Sequence, residues 1–179
     1  LIFNMKKNGA YEVKAPAVIS QLVELVTKEG KSPKTEFVGK SAKYILDKIG
    51  ITVGDDVKVI LMEAKEDHPF VQVELMMPIL PLVRVPDVDQ AIEMAVRVEH
   101  GNRHTAMMHS RNVEKLTKMA KLIQTTIFVK NGPSYAGIGV GGEGYTTFTI
   151  AGPTGEGLTS AKSFARRRRC VLVGGMDVR

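Results

Sequence analysis

Between residues 87 and 130 the sequence switches twice between a helical and an extended period, and this alternation restricts the fold more than any other feature. Asp87 or Asp89 is placed to cap a helix running to about Glu99, with Ile92, Ala95 and Val96 on its inner side. Residues 105–109 then read as a short apolar strand. Asn112 caps a second helix whose Leu116, Ala120 and Ile123 share a face, and residues 126–129 form another strand. Helix, strand, helix, strand at this spacing predicts βαβ units, hence an α/β fold with a mostly parallel open sheet and flanking helices. The crossovers of such a sheet are right-handed.

The flanks fit the same plan. Residues 16–29 carry Val18, Leu22, Leu25 and Val26 on one helical face, with Pro16 at the start and Gly30 at the end. Ser41 caps a shorter helix over residues 41–49, ended by Gly50. Residues 57–62 and 79–85 are apolar and β-rich, although Pro81 argues against a central position for the second. After Lys130 the character changes: residues 131–157 hold nine glycines and two prolines, with a strand expected only over residues 145–150. Residues 168–173 are expected to close the chain as a strand.

The bulk numbers exclude several classes. With 44% hydrophobic and 25% charged residues the 179-residue chain is of ordinary globular composition, not disordered or fibrous. No apolar run approaches the roughly 18–20 residues that a bilayer crossing needs. One cysteine cannot form an internal disulfide, which points to a reducing cytoplasm. Five of the six units of net positive charge come from Lys162, Arg166, Arg167, Arg168, Arg169 and Arg179, against Asp177 alone, so the rest of the chain is almost neutral. A nucleic-acid binder spreads charge over a face, and alternate arginines of a strand point to opposite faces, so no nucleic-acid partner is expected. Leu1 to Lys7 read as the tail of a helix, and the chain is expected to be a piece of a longer polypeptide.

Four groups of residues invite a chemical role. Gly137-Ile138-Gly139-Val140-Gly141-Gly142 matches G-x-G-x-x-G only formally, because six residues separate it from the preceding strand and no helix opens after it. Cys170, inside Arg169-Cys170-Val171-Leu172-Val173, is expected to pack as a small apolar side chain rather than to react. His100 and His104 are four apart, but Gly101 and Asn102 between them weaken a metal reading, and no metal is expected. Glu74 stands in the apolar run Phe70-Val71-Gln72-Val73-Glu74-Leu75-Met76-Met77-Pro78; pattern alone leaves open whether it is a surface carboxylate or a functional one.

Taken in order, His68-Pro69-Phe70, Glu74-Leu75-Met76-Met77-Pro78-Ile79-Leu80-Pro81, His104-Thr105-Ala106, Asn131-Gly132-Pro133 and Pro153-Thr154-Gly155-Glu156-Gly157 resemble the C-terminal part of CoA-acylating aldehyde dehydrogenases, of the kind used in ethanolamine and propanediol utilisation. The resemblance runs from end to end. It implies conversion of a short-chain aldehyde to acyl-CoA with NAD and coenzyme A, through a thioester on a cysteine that lies upstream of this segment; Cys170 is not its counterpart. It further implies that Glu74 and Met76 contact the nicotinamide side of NAD, Met76 standing where the superfamily often has phenylalanine. His104 is implied near the thioester or CoA, and Asn131, Gly132 and Pro133 in the aldehyde pocket. Residues 1–145 would be a partial catalytic domain, and 146–179 glycine-rich loops with a homo-oligomerisation strand. The setting implied is cytoplasmic or inside a bacterial microcompartment. The alternative is a catalytically inactive assembly or binding module of the same fold.

Overall fold

The computed structural model describes residues 1–144, 146, 149–151, 157–171, 173 and 174. It divides into two compact units, Leu1–Met94 and Ala95–Arg179.

The first unit is built on a parallel three-stranded sheet in the order β1-β4-β5, with β1 at Ala10–Glu12, β4 at Val59–Glu63 and β5 at Ile79–Leu82. The middle strand β4 buries Ile60, Leu61 and Met62 completely, one after another. Consecutive burial of this kind marks a strand covered on both faces. Pro81 lies on β5, opposite Met62, at the sheet's edge within this chain, where its missing N–H costs no ladder bond. Helix α1 (Ile2–Lys7) precedes the sheet, and α2 (Pro16–Val26) and α3 (Ala42–Asp47) supply most of the packing. Leu22, Val26, Ile45 and Leu46 are fully buried among Phe37, Phe70 and Leu75, each contributing about 1.5–3 kcal/mol of transfer free energy. Ser41 caps α3 as expected, its hydroxyl accepting the Tyr44 N–H at 3.1 Å.

Helix α2 ends three residues before the expected limit. Thr27 is extended, its hydroxyl donating to the Val23 carbonyl at 2.6 Å and accepting the Gly30 N–H at 3.0 Å. A buried β-branched residue that satisfies its own helix end in this way stops the helix, and the chain enters a hairpin of β2 (Thr27–Lys28) and β3 (Ser32–Pro33) that periodicity does not announce. A short helix α4 (Pro69–Gln72) follows, capped by His68.

Helix α5 (Val88–Val98) starts where Asp87 accepts the Gln90 N–H at 2.9 Å, and it runs across the boundary between the units. In the second unit β6 (Thr105–Met108), α6 (Val113–Ile123) and β7 (Ile127–Lys130) form the expected parallel βαβ unit, Thr105 opposite Ile127 and Met108 opposite Lys130. Asn112 caps α6, and Leu116, Met119 and Ile123 are buried. A 3-10 turn over Ser134–Ile138 follows, then the antiparallel pair β8 (Thr149–Ala151) and β9 (Gly157–Thr159) and a 3-10 turn over Ala161–Phe164. The strand expected over 145–150 survives in β8; Tyr145, Thr147 and Phe148 lie outside the described residues.

The expected closing strand is not formed. None of the described residues from Arg166 to Val173 is in a strand, and Leu172 lies outside the description. Strand structure requires a ladder partner, and no described segment pairs with these residues. Cys170, expected to be packed, is exposed for the same reason.

Candidate active site at the ends of the parallel strands

Glu74 lies in the loop between α4 and β5, after Val73 has left the helix in extended conformation. Its carboxylate is exposed and makes no hydrogen bond or ion pair among the described residues. Leu75, the next residue, is buried and anchors the loop. Met76 then adopts a left-handed backbone, φ 54°, and its carbonyl accepts the Gly39 N–H at 3.1 Å. A non-glycine residue held at positive φ is strained, and such strain collects at functional sites. The Met76 side chain is 58% exposed and lines a cleft of about 550 Å³ with Gly39, Lys40, Ser41 and Lys58. Lys43, also on the cleft, is tied to Asp55 at 2.9 Å, and that pair raises the ammonium's pKa and lowers the carboxyl's. The volume suits a small-molecule ligand, and the free carboxylate of Glu74 suits an acceptor for hydroxyl donors.

His104 stands at the entrance to β6, exposed, with its backbone N–H donating to Glu99 Oε1 at 3.3 Å. Its Nδ1 is 2.8 Å from the Thr105 hydroxyl, which leaves Nε2 for another partner. The turn delivering it is unusual: His100, Gly101 and Arg103 are all left-handed. Asn102 ties the turn back to the Glu99 carbonyl at 3.0 Å.

Asn131, Gly132 and Pro133 follow β7 directly, so they lie at the end of the βαβ unit opposite to His104. A four-residue strand spans roughly 13 Å, and the structure does not bring His104 and Asn131 together. The C-terminal end of parallel strands is the usual ligand side of an open α/β sheet. Here Asn131 has a left-handed backbone, φ 55°, and Pro133 begins the 3-10 turn. Three of the glycines beyond are close-packed: a Cβ on Gly137 would strike the Ile127 side chain, one on Gly142 the Ala136 Cβ, and one on Gly144 the Gly137 and Ala136 backbone. They form loop wall and not a strand-to-helix phosphate cradle.

Glu99, Thr105 and Ser110 were not singled out from the sequence, because each acts through a hydrogen bond whose partner is set by the turn geometry. Burial lowers the pKa of His68, with Asp67 opposing. Its Nδ1 accepts the Phe70 N–H at 3.1 Å, a capping role that the His-Pro pair announces only faintly.

The aldehyde dehydrogenase family model matches residues 57–155, more than half of the chain. The chain belongs to the aldehyde dehydrogenase family. The matched span runs from the approach to β4 past β8, so it contains Glu74, Met76, His104, Asn131, Gly132 and Pro133 and excludes Cys170. Among curated relatives, the propanal dehydrogenase (CoA-propanoylating) of Salmonella typhimurium is 49% identical over the whole of this chain and 38% of its own length. The acetylating acetaldehyde dehydrogenase EutE of the same organism is 47% identical over 95% of this chain and 38% of its own. The propionaldehyde dehydrogenase of Rhodopseudomonas palustris, solved with bound CoA and an acylated cysteine, aligns with a TM-score of 0.90 at 72% identity, covering 96% of this chain and 39% of that one. The chain thus spans well under half of the length of these relatives, and it carries the α/β fold of the aldehyde dehydrogenase family.

Proposed function

We propose that these residues form the C-terminal part of an enzyme that converts a short-chain aldehyde to acyl-CoA with NAD or NADP and coenzyme A. The observation that carries this reading is that similarity to CoA-acylating dehydrogenases runs along the whole chain and takes in each candidate residue. The nicotinamide supplies the hydride acceptor when bound. The nucleophilic cysteine of the family's reaction belongs to a part of the enzyme outside these residues, and covalent capture there divides the reaction into oxidation and acyl transfer.

Within this chain Glu74 accepts the hydroxyl donors of the nicotinamide ribose, and Met76, strained into the cleft wall, bounds the nicotinamide ring. His104, with Nδ1 occupied by Thr105, presents Nε2 toward the acyl thioester or CoA. Asn131, Gly132 and Pro133 border the aldehyde at the other end of the strands. The exposed residues 166–171, which pair with no described strand, are available to add a strand to a second copy, making the enzyme a homo-oligomer. Its place is the cytoplasm or a microcompartment. The latter is supported by a solved neighbour, the propionaldehyde dehydrogenase of a Clostridium phytofermentans fucose-utilisation microcompartment, 47% identical with a TM-score of 0.84. Among the described residues no helix is long and apolar enough to cross a membrane.

The test is NADH formation by the full-length enzyme from propanal, NAD and CoA, compared with Glu74→Ala. The variant is expected to raise the KM for NAD about tenfold, the loss of one charge-assisted pair of hydrogen bonds. Unchanged NAD kinetics would remove Glu74 from the cofactor site, and absence of CoA-dependent NADH formation by the parent enzyme would favour an inactive assembly module.

A further inference from the structure

Both ends of the Asn131 amide are engaged. Its Oδ1 accepts the Ser110 N–H at 2.7 Å and its Nδ2 donates to the Ser110 carbonyl at 2.9 Å. Its own N–H donates to the Met108 carbonyl at 2.9 Å. Three hydrogen bonds therefore carry the β6–β7 pairing past the last paired residues, Met108 and Lys130. Asparagine is among the few residues that tolerate the left-handed backbone required at this corner.

The ties continue on both sides. Ser110 Oγ accepts the Asn112 N–H at 3.0 Å, and Asn112 Oδ1 accepts the Lys115 N–H at 3.0 Å in the first turn of α6. On the other side a Cβ on Gly132 would already lie 3.3 Å from Val129 Cγ1, and one on Gly142 2.7 Å from the Ala136 Cβ. One amide thus fastens the loop after β7 to the turn that starts α6, and the loop it fastens is closely packed.

We propose that Asn131 is a positioning residue: its amide clamps Gly132, Pro133 and the following 3-10 turn against Ser110, and so sets the aldehyde end of the site without touching the cofactor. The proposal rests on the reading that this loop borders the aldehyde. The clamp holds a wall in place, so its loss widens and loosens the pocket, and discrimination between short and long aldehydes falls.

The experiment uses the full-length enzyme with Asn131→Gly, which accepts the left-handed backbone without strain and removes the side chain with its amide. The KM for propanal is expected to rise about tenfold, with the KM values for NAD and CoA within about twofold. The kcat/KM preference between propanal and hexanal is expected to shrink at least threefold, roughly what losing one hydrogen bond does. Amide hydrogen exchange at Ser110 is expected to speed up about tenfold. An unchanged propanal KM, a parallel rise in all three KM values, or unchanged exchange at Ser110 overturns the proposal. Asn131→Asp, which keeps the acceptor for the Ser110 N–H, is read by the same criteria if the glycine variant fails to accumulate. Pro133→Ala separates the two readings: if it alters the propanal KM while Asn131→Gly does not, the clamp fails and the pocket stands. If neither variant alters it, the pocket reading fails as well.

Discussion

A carboxylate in water beside a strained methionine, and an imidazole with one nitrogen occupied, are the two residue-scale features with chemical consequences. Glu74 stands out in the sequence by its apolar surroundings, and its carboxylate has no partner to neutralise it among the described residues. His104 stands out as well, but the roles of Glu99 and Thr105 in holding it depend on the turn geometry. In the full-length enzyme Thr105→Val keeps the side-chain shape and removes the hydroxyl. It is expected to lower kcat/KM about three- to tenfold, because the Nδ1 partner sets which tautomer Nε2 presents. Thr105→Ser is expected to restore kcat/KM, and equal values of it for the two variants would show that the hydroxyl has no part in orienting the ring.

At the scale of elements, capping and the parallel β6–β7 unit were legible, while the β2–β3 hairpin and the absence of a closing strand were not. Ser41 and Asn112 cap the helices they were expected to cap, and of the two aspartates offered for α5 Asp87 is the cap, because a cap is decided within three or four residues of the chain. Asn112→Ala is expected to destabilise the second unit by about 1 kcal/mol, read as a lower urea midpoint with an unchanged slope. The closing strand failed for the complementary reason. Its composition favours extension, yet extension becomes a strand only against a partner, and none is supplied by the described residues. In the intact enzyme, deleting residues 166–173 is expected to reduce the oligomer's mass in solution by light scattering; an unchanged mass would place the subunit contact elsewhere.

Across the whole molecule, pH acts through a small set of groups. Burial holds the His68 pKa below its ordinary 6.5, so the unfolded chain binds a proton before the folded one does. That contribution to stability is therefore complete above about pH 6.5 and is lost as pH falls through the folded pKa. Lys6 lowers the Glu12 pKa, Lys43 that of Asp55 and Arg84 that of Glu63, and these exposed pairs are lost only in a more acidic range. His68→Asn keeps a capping acceptor and removes the titration. Its melting temperature is expected to fall less than that of the parent between about pH 7 and pH 5.5, and parallel curves would assign the loss to other groups.

By itself the sequence determined the local order of helices and strands, their caps, the parallel α/β class, the concentration of positive charge near one end and the family to which these motifs point. All of these rest on interactions that span a turn of helix or a few residues of strand. The tertiary structure alone decided that His104 and Asn131 occupy opposite ends of one strand pair, and that Asn131 spends its amide on Ser110. It also decided that Cys170 stands exposed. Each of these depends on which segments meet. Ser110 and Asn131 are 21 residues apart in the chain, and only the return of α6 to the sheet places them within reach of one hydrogen bond.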